Sequence, residues 1–157
     1  MTFEPSKSER NLNKEYQDNI NRKYSYEFDY LMHKWIIKEL KPHFYGNKNC
    51  LELGCYKGHF TSLLSKYFDS VVAVEGSLDL YQELKINLRN FLNIEIVNQM
   101  FESYKPLEKF DNIFLVHVLE HVEDQNRLLK RIKKWLSAEG KLFIVVPNAR
   151  ALSRQIA

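Results

Sequence analysis

One stretch, Cys50 to Phe60 (CLELGCYKGHF), constrains the fold of this chain more than any other. It opens with a short apolar run, continues through two glycines that bracket a tight connection, and ends where apolar residues start to recur at helical spacing. A strand, a glycine loop and a helix in that order are typical of a nucleotide-binding α/β unit. Glycines allow a ligand to approach the backbone closely, and the helix N-terminus then faces that ligand.

The glycine spacing excludes two common versions of this unit. A dinucleotide fingerprint needs G-x-G-x-x-G, and Tyr56 stands where its second glycine belongs. A phosphate-binding P-loop needs two glycines that are further apart than Gly54 and Gly58. It also needs Lys-Ser/Thr directly after the second glycine, and this chain has neither residue there. What remains is an acid, Glu52, just before the first glycine. A carboxylate there is unsuited to a pyrophosphate and suits a ligand with a cationic part.

A second acid follows the next apolar run. Residues 71–74 (VVAV) are a short run without alternation, which indicates a strand buried on both faces, and Glu75 and Gly76 end it. Glu75 lies about twenty residues after the first glycine, where an acid at the tip of strand 2 binds ribose hydroxyls. The alternative is an acid at a helix start, where the helix dipole favours it.

Strand and helix patterns alternate along the rest of the chain. The alternation predicts a parallel, doubly wound sheet, whose ligands bind at the carboxyl ends of the strands. Ser77 is expected to cap the second helix and Gly140 to end the last one in a left-handed conformation. The predicted strands are 49–53, 71–74, 93–98, a run beginning near 110, and 141–146; the predicted helices include 58–68, one after Ser77 and 124–136.

The N-terminal part divides in two. Residues 1–22 are polar and predict a loose arm, so the domain proper is 23–157. Four aromatic residues within 24–30 are expected to pack on the core, or alternatively to cover the ligand pocket. A helix should follow and stop at Pro42. Its buried stripe is predicted as Leu31, Trp35, Ile36 and Leu40.

Composition narrows the function classes. The chain has 157 residues, enough for one domain with a real core, and a net charge of +3 that does not imply a nucleic-acid partner. Two cysteines, Cys50 and Cys55, are expected to be free thiols in a reducing compartment. The sequence shows neither a signal peptide nor a membrane-length apolar run, so we expect a cytoplasmic location and no membrane partner.

Taken together, four segments resemble the class I S-adenosylmethionine (SAM)-dependent methyltransferases that act on small molecules, including quinone precursors and sugars. The segments are LELGCYKG (51–58), VVAVEG (71–76), FDNIFLVHVLEHV (110–122) and GKLFIVVPN (140–148). The resemblance implies a Rossmann-like sheet of order 3-2-1-4-5 with an N-terminal helix, SAM as cofactor, and methyl transfer to a hydroxyl or amine of a sugar or related metabolite. The Asn/Asp-Pro-Pro-Tyr element of DNA-methylating enzymes is absent, which argues against a DNA substrate.

The resemblance also implies a cofactor site. Met100 stands near the place where the family often has an Asp that accepts from the adenine amine, so Met100 and Phe101 are expected to sandwich the ring instead. A side chain at Gly54 is expected to fill space that the ligand requires. The implied cofactor-binding residues are Glu52, Gly54, Cys55, Tyr56, Gly58, Glu75, Gly76, Met100, Phe101 and His117.

His121 and His117 are the candidate catalytic bases, because a neutral histidine can take a proton from a hydroxyl acceptor. The alternative for each is a structural histidine. His117 to His121 also matches the inverted zinc-protease motif H-x-x-E-H, but that motif needs a helix where a strand end is predicted. A divalent ion at Glu120 and His121 is a minor alternative, and no metal is expected.

The end of the chain leaves two readings open. Members of the resembling family usually add a β-hairpin beside strand 5, whereas this chain stops at Ala157. The chain is therefore either part of a longer protein or does without the hairpin, and a SAM-binding module without catalysis is the alternative function. An uncovered strand 5 would be an open sheet edge, which predicts possible self-association there.

Overall fold

The computed structural model describes residues 26–148, which form a five-stranded parallel sheet of order β3-β2-β1-β4-β5 with helices on both faces. The predicted Rossmann-like fold and strand order are therefore confirmed. The polar arm, 1–22, and Tyr24 lie outside the described residues. The elements are α1 Tyr26–Leu40, β1 Asn49–Leu53, α2 His59–Leu64, β2 Ser70–Glu75, α3 Leu78–Asn87, β3 Ile94–Asn98, β4 Phe110–Val116, α4 Gln125–Trp135 and β5 Leu136–Val145, with 3-10 turns at Lys41–His43 and Leu119–His121.

The central strands are buried because helices cover both of their faces. Every residue of β1 is buried, and β2 is buried from Val71 to Glu75. Side chains alternate between the faces of a strand, so β1 contributes to two cores. One core contains Leu51, Leu53, Val72, Val74, Ile113 and Leu115 against Leu128, Ile132 and Trp135 of α4. The other contains Cys50, Val71, Phe114 and Phe143 against Ile36, Ile37, Phe60 and Leu64 of α1 and α2.

Aromatic rings join α1, α2 and the strands on the second face. Phe114 of β4 stacks on Phe143 of β5 with ring centroids 4.9 Å apart, and Phe44 meets Phe114 edge-on at 5.4 Å. Phe60, in the first turn of α2, meets Phe114 at 5.9 Å. Aromatic pairs in these geometries add to the stability that burial provides. They also fix the start of α2, and with it the glycine loop, against the sheet.

The buried face of α1 differs from the predicted stripe. Leu31 and Trp35 are 63% and 62% exposed, whereas Ile36 and Ile37 are each 4% exposed. The prediction of Leu31 and Trp35 as buried residues is therefore wrong. Side-chain hydrophobicity alone placed the stripe, but the helix turns the face that contains Ile36 and Ile37 toward α2 and β4. The predicted end before Pro42 is confirmed, since the α-helix stops at Leu40.

Two helix ends also differ from the sequence expectation. The α2 helix is shorter than 58–68, because its hydrogen bonds tighten into turns after Leu64. The left-handed cap at Gly140 is wrong: β5 begins at Leu136, directly after α4, and the positive-φ glycines are at other positions. Gly140 serves close approach instead, since a Cβ there would lie 2.9 Å from the Phe110 carbonyl oxygen. Ser77 does cap α3, accepting a hydrogen bond from the Leu80 amide at 3.3 Å.

The sheet ends in β3 on one side and β5 on the other. Within residues 26–148, β5 pairs only with β4, and Ile144 on β5 is 39% exposed. The predicted edge position of β5 is thus confirmed. Both cysteines are free, as expected, and both are buried. Among the described helices none has the length and apolar character that a membrane span requires.

Candidate active site

In the glycine loop between β1 and α2, three of the five residues have a left-handed backbone conformation. Gly54, Tyr56 and Gly58 have φ angles of 72°, 48° and 81°. The Gly54 amide donates to the Val74 carbonyl at 2.9 Å, and the Gly58 amide donates to the Cys55 carbonyl at 2.9 Å. A side chain at Gly58 would come within 2.9 Å of Leu84, so the second glycine allows α3 to pack closely. The loop is therefore anchored to β2 and α3.

Gly54 faces protein rather than ligand space. A Cβ there would lie 2.7 Å from a methyl group of Val118, in the segment after β4. The expectation that a side chain at Gly54 would fill the ligand's space is therefore wrong: its first atom meets Val118. The glycine allows the two ends of the central strands to lie against each other at the edge where the site forms.

We expect Gly54→Ala to lower the free energy of unfolding by about 2 kcal/mol. An alanine is strained in the left-handed conformation of Gly54, and its Cβ would be too close to Val118. Combining it with Val118→Ala should remove the contact, so the two changes together should cost less than the sum of their separate costs. Urea unfolding of the two single variants and the double variant measures this coupling. Strictly additive costs would show that the contact does not matter.

Glu75 joins the tip of β2 to the glycine loop. Its two carboxylate oxygens accept hydrogen bonds from the Ser77 amide at 2.9 Å and the Tyr56 amide at 3.2 Å. The side chain is only 6% exposed. Burial raises the pKa of the Glu75 carboxyl, and the backbone amides of Ser77, Tyr56 and Gly76 oppose that rise. The carboxylate is thus held at one orientation beside the loop.

Glu52, at the end of β1, is the most deeply buried acid of the site. It is 2% exposed, and one of its carboxylate oxygens, Oε2, is buried without a hydrogen-bond partner. Burial raises the pKa of the Glu52 carboxyl to about 8; Thr61 opposes this rise and Glu75 adds to it. Thr61, fully buried on α2, has no hydrogen-bond partner of ordinary geometry for its hydroxyl. Thr61 is not recognisable as a site residue from the sequence, and its link to the site is its effect on Glu52 from the first turn of α2.

The corner after β3 is a compact turn. The Met100 carbonyl accepts from the amides of Ser103 and Tyr104, each at 3.0 Å. The Asn98 side chain donates to the Glu75 carbonyl at 2.8 Å, which ties this corner to the tip of β2. Phe101 is partly buried against the core that α4 covers, and Met100 is partly buried. The two residues thus lie at the same edge as Glu75.

The segment after β4 brings both candidate bases to this edge. His117 has a φ of 56°, and its amide donates to the Val145 carbonyl of β5 at 2.8 Å. Its Nδ1 lies 3.8 Å from Glu120 Oε1, while its Nε2 is buried without a partner. His121 ends the 3-10 turn, where its amide donates to the Val118 carbonyl at 2.9 Å, and it is exposed. One histidine therefore points inward and the other lies at the surface.

The side chain of Cys55, a predicted site residue, is buried in a hydrophobic cluster away from the proposed site. It is 4% exposed and packs with Ala73, Leu84 and Leu88 under α3. Only its backbone lies in the glycine loop. Within 26–148, no three His, Cys, Asp or Glu residues group in a way that could hold a metal ion.

The family model described as "Methyltransferase domain" matches residues 10–156. The chain belongs to this family. The predicted resemblance to class I SAM-dependent methyltransferases is thereby confirmed, and solved structures of such proteins share the fold. The N-methyltransferase NodS from Bradyrhizobium japonicum WM9, solved in complex with S-adenosyl-L-homocysteine (SAH), superposes with a TM-score of 0.70 at 19% identity, covering 85% of this chain and 72% of that chain.

Curated relatives of this methyltransferase-family chain are longer than the matched segment. (S)-coclaurine N-methyltransferase of Thalictrum flavum subsp. glaucum is 33% identical over 98 residues, which cover 60% of this chain and 27% of the relative. Ubiquinone biosynthesis O-methyltransferase of Coxiella burnetii is 32% identical over 103 residues, covering 64% of this chain and 44% of the relative. The chain thus matches between about a quarter and just under half of these relatives' lengths.

Proposed function

We propose that this chain binds SAM at the carboxyl edge of the sheet and transfers its methyl group to a hydroxyl or amine of a small molecule. The observation that carries the proposal is the pair of buried carboxylates, Glu52 and Glu75, at the tips of adjacent strands beside a left-handed glycine loop. A carboxylate at the tip of β2 suits a ribose diol. A second carboxylate with a buried, unpaired oxygen suits a cationic group.

Each group of site residues would bind a different part of SAM. Glu75 is already oriented by the Tyr56 and Ser77 amides, and a carboxylate oxygen has a further lone pair with which to accept a ribose hydroxyl. Met100 and Phe101, at the tip of β3, offer apolar contact to an adenine. The backbone of the glycine loop adjoins Glu75 through the Tyr56 amide. Glu52, two residues before Gly54, would meet the amino-acid part of the ligand.

The chemistry requires little of the protein beyond alignment. SAM supplies an activated methyl on a sulfonium, so the transfer is a direct displacement once the acceptor is held in line. The chain's own residues bind both molecules, exclude water and, for a hydroxyl acceptor, take its proton. The proposal gives that proton transfer to the exposed His121 and the orientation of the bound groups to His117, whose Nε2 is buried without a partner.

We expect Glu75→Ala to weaken the binding of SAH about ten- to a hundredfold. The change removes charge-assisted hydrogen bonds, worth roughly 1.5–3 kcal/mol, and also frees the glycine loop. Calorimetric titration with SAH measures the effect. Asp79→Ala is the matched control, because Asp79 is an exposed acid in the first turn of α3. Equal affinity in the Glu75 variant and the wild type would remove Glu75 from the site.

A second candidate function is a SAM-binding module that needs further residues or a partner for catalysis. The observation that favours it is coverage: the matched segment is 27% of one relative and 44% of another. The two candidates separate when the chain is assayed with SAM and a panel of hydroxyl and amine acceptors, sugars included. Product formation supports the enzyme, whereas SAH binding with no product supports the module.

The β5 edge and the cellular location are parts of the same proposal. An apolar strand with one unpaired side is a template for pairing, so we propose that another strand or a second copy of the chain covers β5. We also propose a cytoplasmic location, which the two free cysteines support because disulfides are rare in a reducing compartment. Light scattering on the purified chain tests self-association.

A further inference from the structure

The helix α4 carries a cluster of basic residues to which the proposed methyl transfer assigns no role. Its 11 residues, Gln125–Trp135, include five Lys or Arg and no acid. The whole chain has 23 Lys and Arg against 20 Asp and Glu, so the chain outside α4 has 18 basic against 20 acidic residues. Positive charge is therefore concentrated on this one helix, and the rest of the chain is net negative with its histidines neutral.

Four of these cations line one cleft on the surface. They recur at helical spacing, on a different face of α4 from the buried Leu128, Ile132 and Trp135. The cleft has a volume of about 430 Å³ and is lined by Asp124, Asn126, Arg127, Lys130, Arg131 and Lys134. Asp124 caps the helix, since its carboxylate accepts from the Arg127 amide at 2.9 Å. The α4 basic face is defined here as Arg127, Lys130, Arg131 and Lys134.

Contacts with the rest of the fold hold one end of this face. Arg131 Nη2 donates to the Tyr104 carbonyl at 2.6 Å, and the Arg131 guanidinium lies 5.4 Å from the centre of the Trp135 ring. Lys109 Nζ donates to the Lys134 carbonyl, which brings another cation to the end of the helix. Among residues 26–148, no acid forms an ion pair with a cation of the α4 basic face.

The arrangement of these charges is unfavourable for the helix itself. Like charges four residues apart on a helix repel each other. The α4 basic face contains two such pairs, Arg127 with Arg131 and Lys130 with Lys134. Arg127 also stands in the first turn, which holds no acid and where the positive end of the helix dipole disfavours a cation. A merely solvated face would be more stable with acids among these cations, so binding of an anionic partner explains the pattern better.

The size and surroundings of the face indicate which anionic partner fits. Positions 127 to 134 extend about 10 Å along the helix axis. Because the rest of the chain is net negative, it would repel a nucleic acid or an anionic membrane that extends beyond the face. Such partners are also commonly bound with exposed apolar or aromatic side chains, and α4 exposes no large one. A short run of carboxylates on a protein matches the face in both size and charge.

We propose that the α4 basic face binds an acidic segment of a partner protein. Carboxylates of that segment pair with the four cations, one of which, Arg131, is already oriented by the Tyr104 carbonyl. The interaction is independent of methyl transfer, since none of the four residues belongs to the proposed SAM site.

Binding of a fluorescein-labelled oligoglutamate peptide to the full chain tests the proposal. An oligothymidylate of the same charge and vesicles of phosphatidylcholine with phosphatidylserine are the competing probes. Fluorescence anisotropy measures the first two, and co-sedimentation measures the vesicles. We expect the peptide to bind more tightly than either competing probe, and its binding to weaken as the salt concentration rises.

Lys130→Glu should weaken binding of the peptide about tenfold, because a charge-assisted contact is replaced by repulsion. Lys130→Gln, which only removes the charge, should show a smaller loss. Lys85→Glu is the matched control, since it makes the same change of charge at an exposed lysine of α3, and it should leave the peptide affinity unchanged.

Stability and SAH affinity separate the possible failures. Lys130→Glu should keep or raise the melting temperature, because it replaces a repulsive pair with Lys134 by a favourable one. Its SAH affinity should equal that of the wild type. Equal peptide affinity in Lys130→Glu and Lys85→Glu, or tighter binding of the oligothymidylate or the vesicles than of the peptide, would overturn this inference. Peptide binding as expected in a chain that does not bind SAH would overturn the proposed function alone.

Discussion

His121→Ala should lower turnover on a hydroxyl acceptor about 10²–10⁴-fold, because the loss of a general base typically costs that much in rate. The affinity for SAH should stay within a few fold of wild type. His121 is exposed at the end of the 3-10 turn, where an arriving acceptor can reach it, and its backbone is fixed by the Val118 carbonyl. Its role therefore concerns the acceptor rather than the cofactor.

The matched comparison is His117→Ala. Its Nε2 is buried without a partner and we propose that it orients the bound groups, so this change should lower both turnover and SAH affinity. Single-turnover transfer of a labelled methyl group, together with calorimetry, separates the two effects. An amine acceptor that binds uncharged needs no base before transfer, so a small effect of His121→Ala on amines and a large one on hydroxyls is expected. If His121→Ala turns over a verified hydroxyl acceptor as fast as the wild type does, His121 is a structural residue and not the base.

Glu52→Gln should stabilise the ligand-free protein by about 3 kcal/mol at pH 7. Burial raises the pKa of the Glu52 carboxyl from 4.5 to about 8, so the folded protein holds a proton that the unfolded chain releases. Holding that proton at pH 7 costs about 1.4 kcal/mol for each pH unit above 4.5. The wild-type protein should therefore lose stability relative to the variant as the pH rises from 4.5 to 8, with no further loss above.

The same substitution should weaken binding, since Glu52 can release its proton beside a cationic group of the ligand and become its carboxylate partner, whereas a glutamine cannot. A change that raises stability while it lowers affinity marks a group kept for function. Urea unfolding between pH 4.5 and pH 9 measures the first effect and calorimetry with SAM the second. Glu102→Gln, at an exposed acid after β3, is the control. Parallel pH profiles for wild type and Glu52→Gln would show that Glu52 is not held protonated.

The sheet could be predicted because its signals are local. β1 and β2 are short, mostly apolar runs with an acid in the last two positions, and the glycine loop after β1 has few alternatives. Strand order followed from the resemblance and from the handedness rule for parallel strands. The positions of Glu52 and Glu75 at the sheet edge came with it, because each directly follows the apolar part of its strand.

Other features depend on contacts between distant segments. Ile36 was correctly predicted as buried, but nothing near Leu31 or Trp35 in the sequence shows that α1 turns Ile37 to the core in their place. Gly140 was assigned a left-handed turn, a common use of glycine, whereas it is required by the approach of the Phe110 carbonyl.

Calorimetric titration of the folded 157-residue chain with SAH, and separately with NAD, tests the central claim most directly. The two ligands share an adenosine, but only NAD carries a pyrophosphate, which the acid at Glu52 and the side chain at Tyr56 disfavour. We expect saturable binding of one SAH for each chain and no binding of NAD. Folded protein that binds NAD, or that binds neither ligand, would contradict a SAM site at this edge of the sheet.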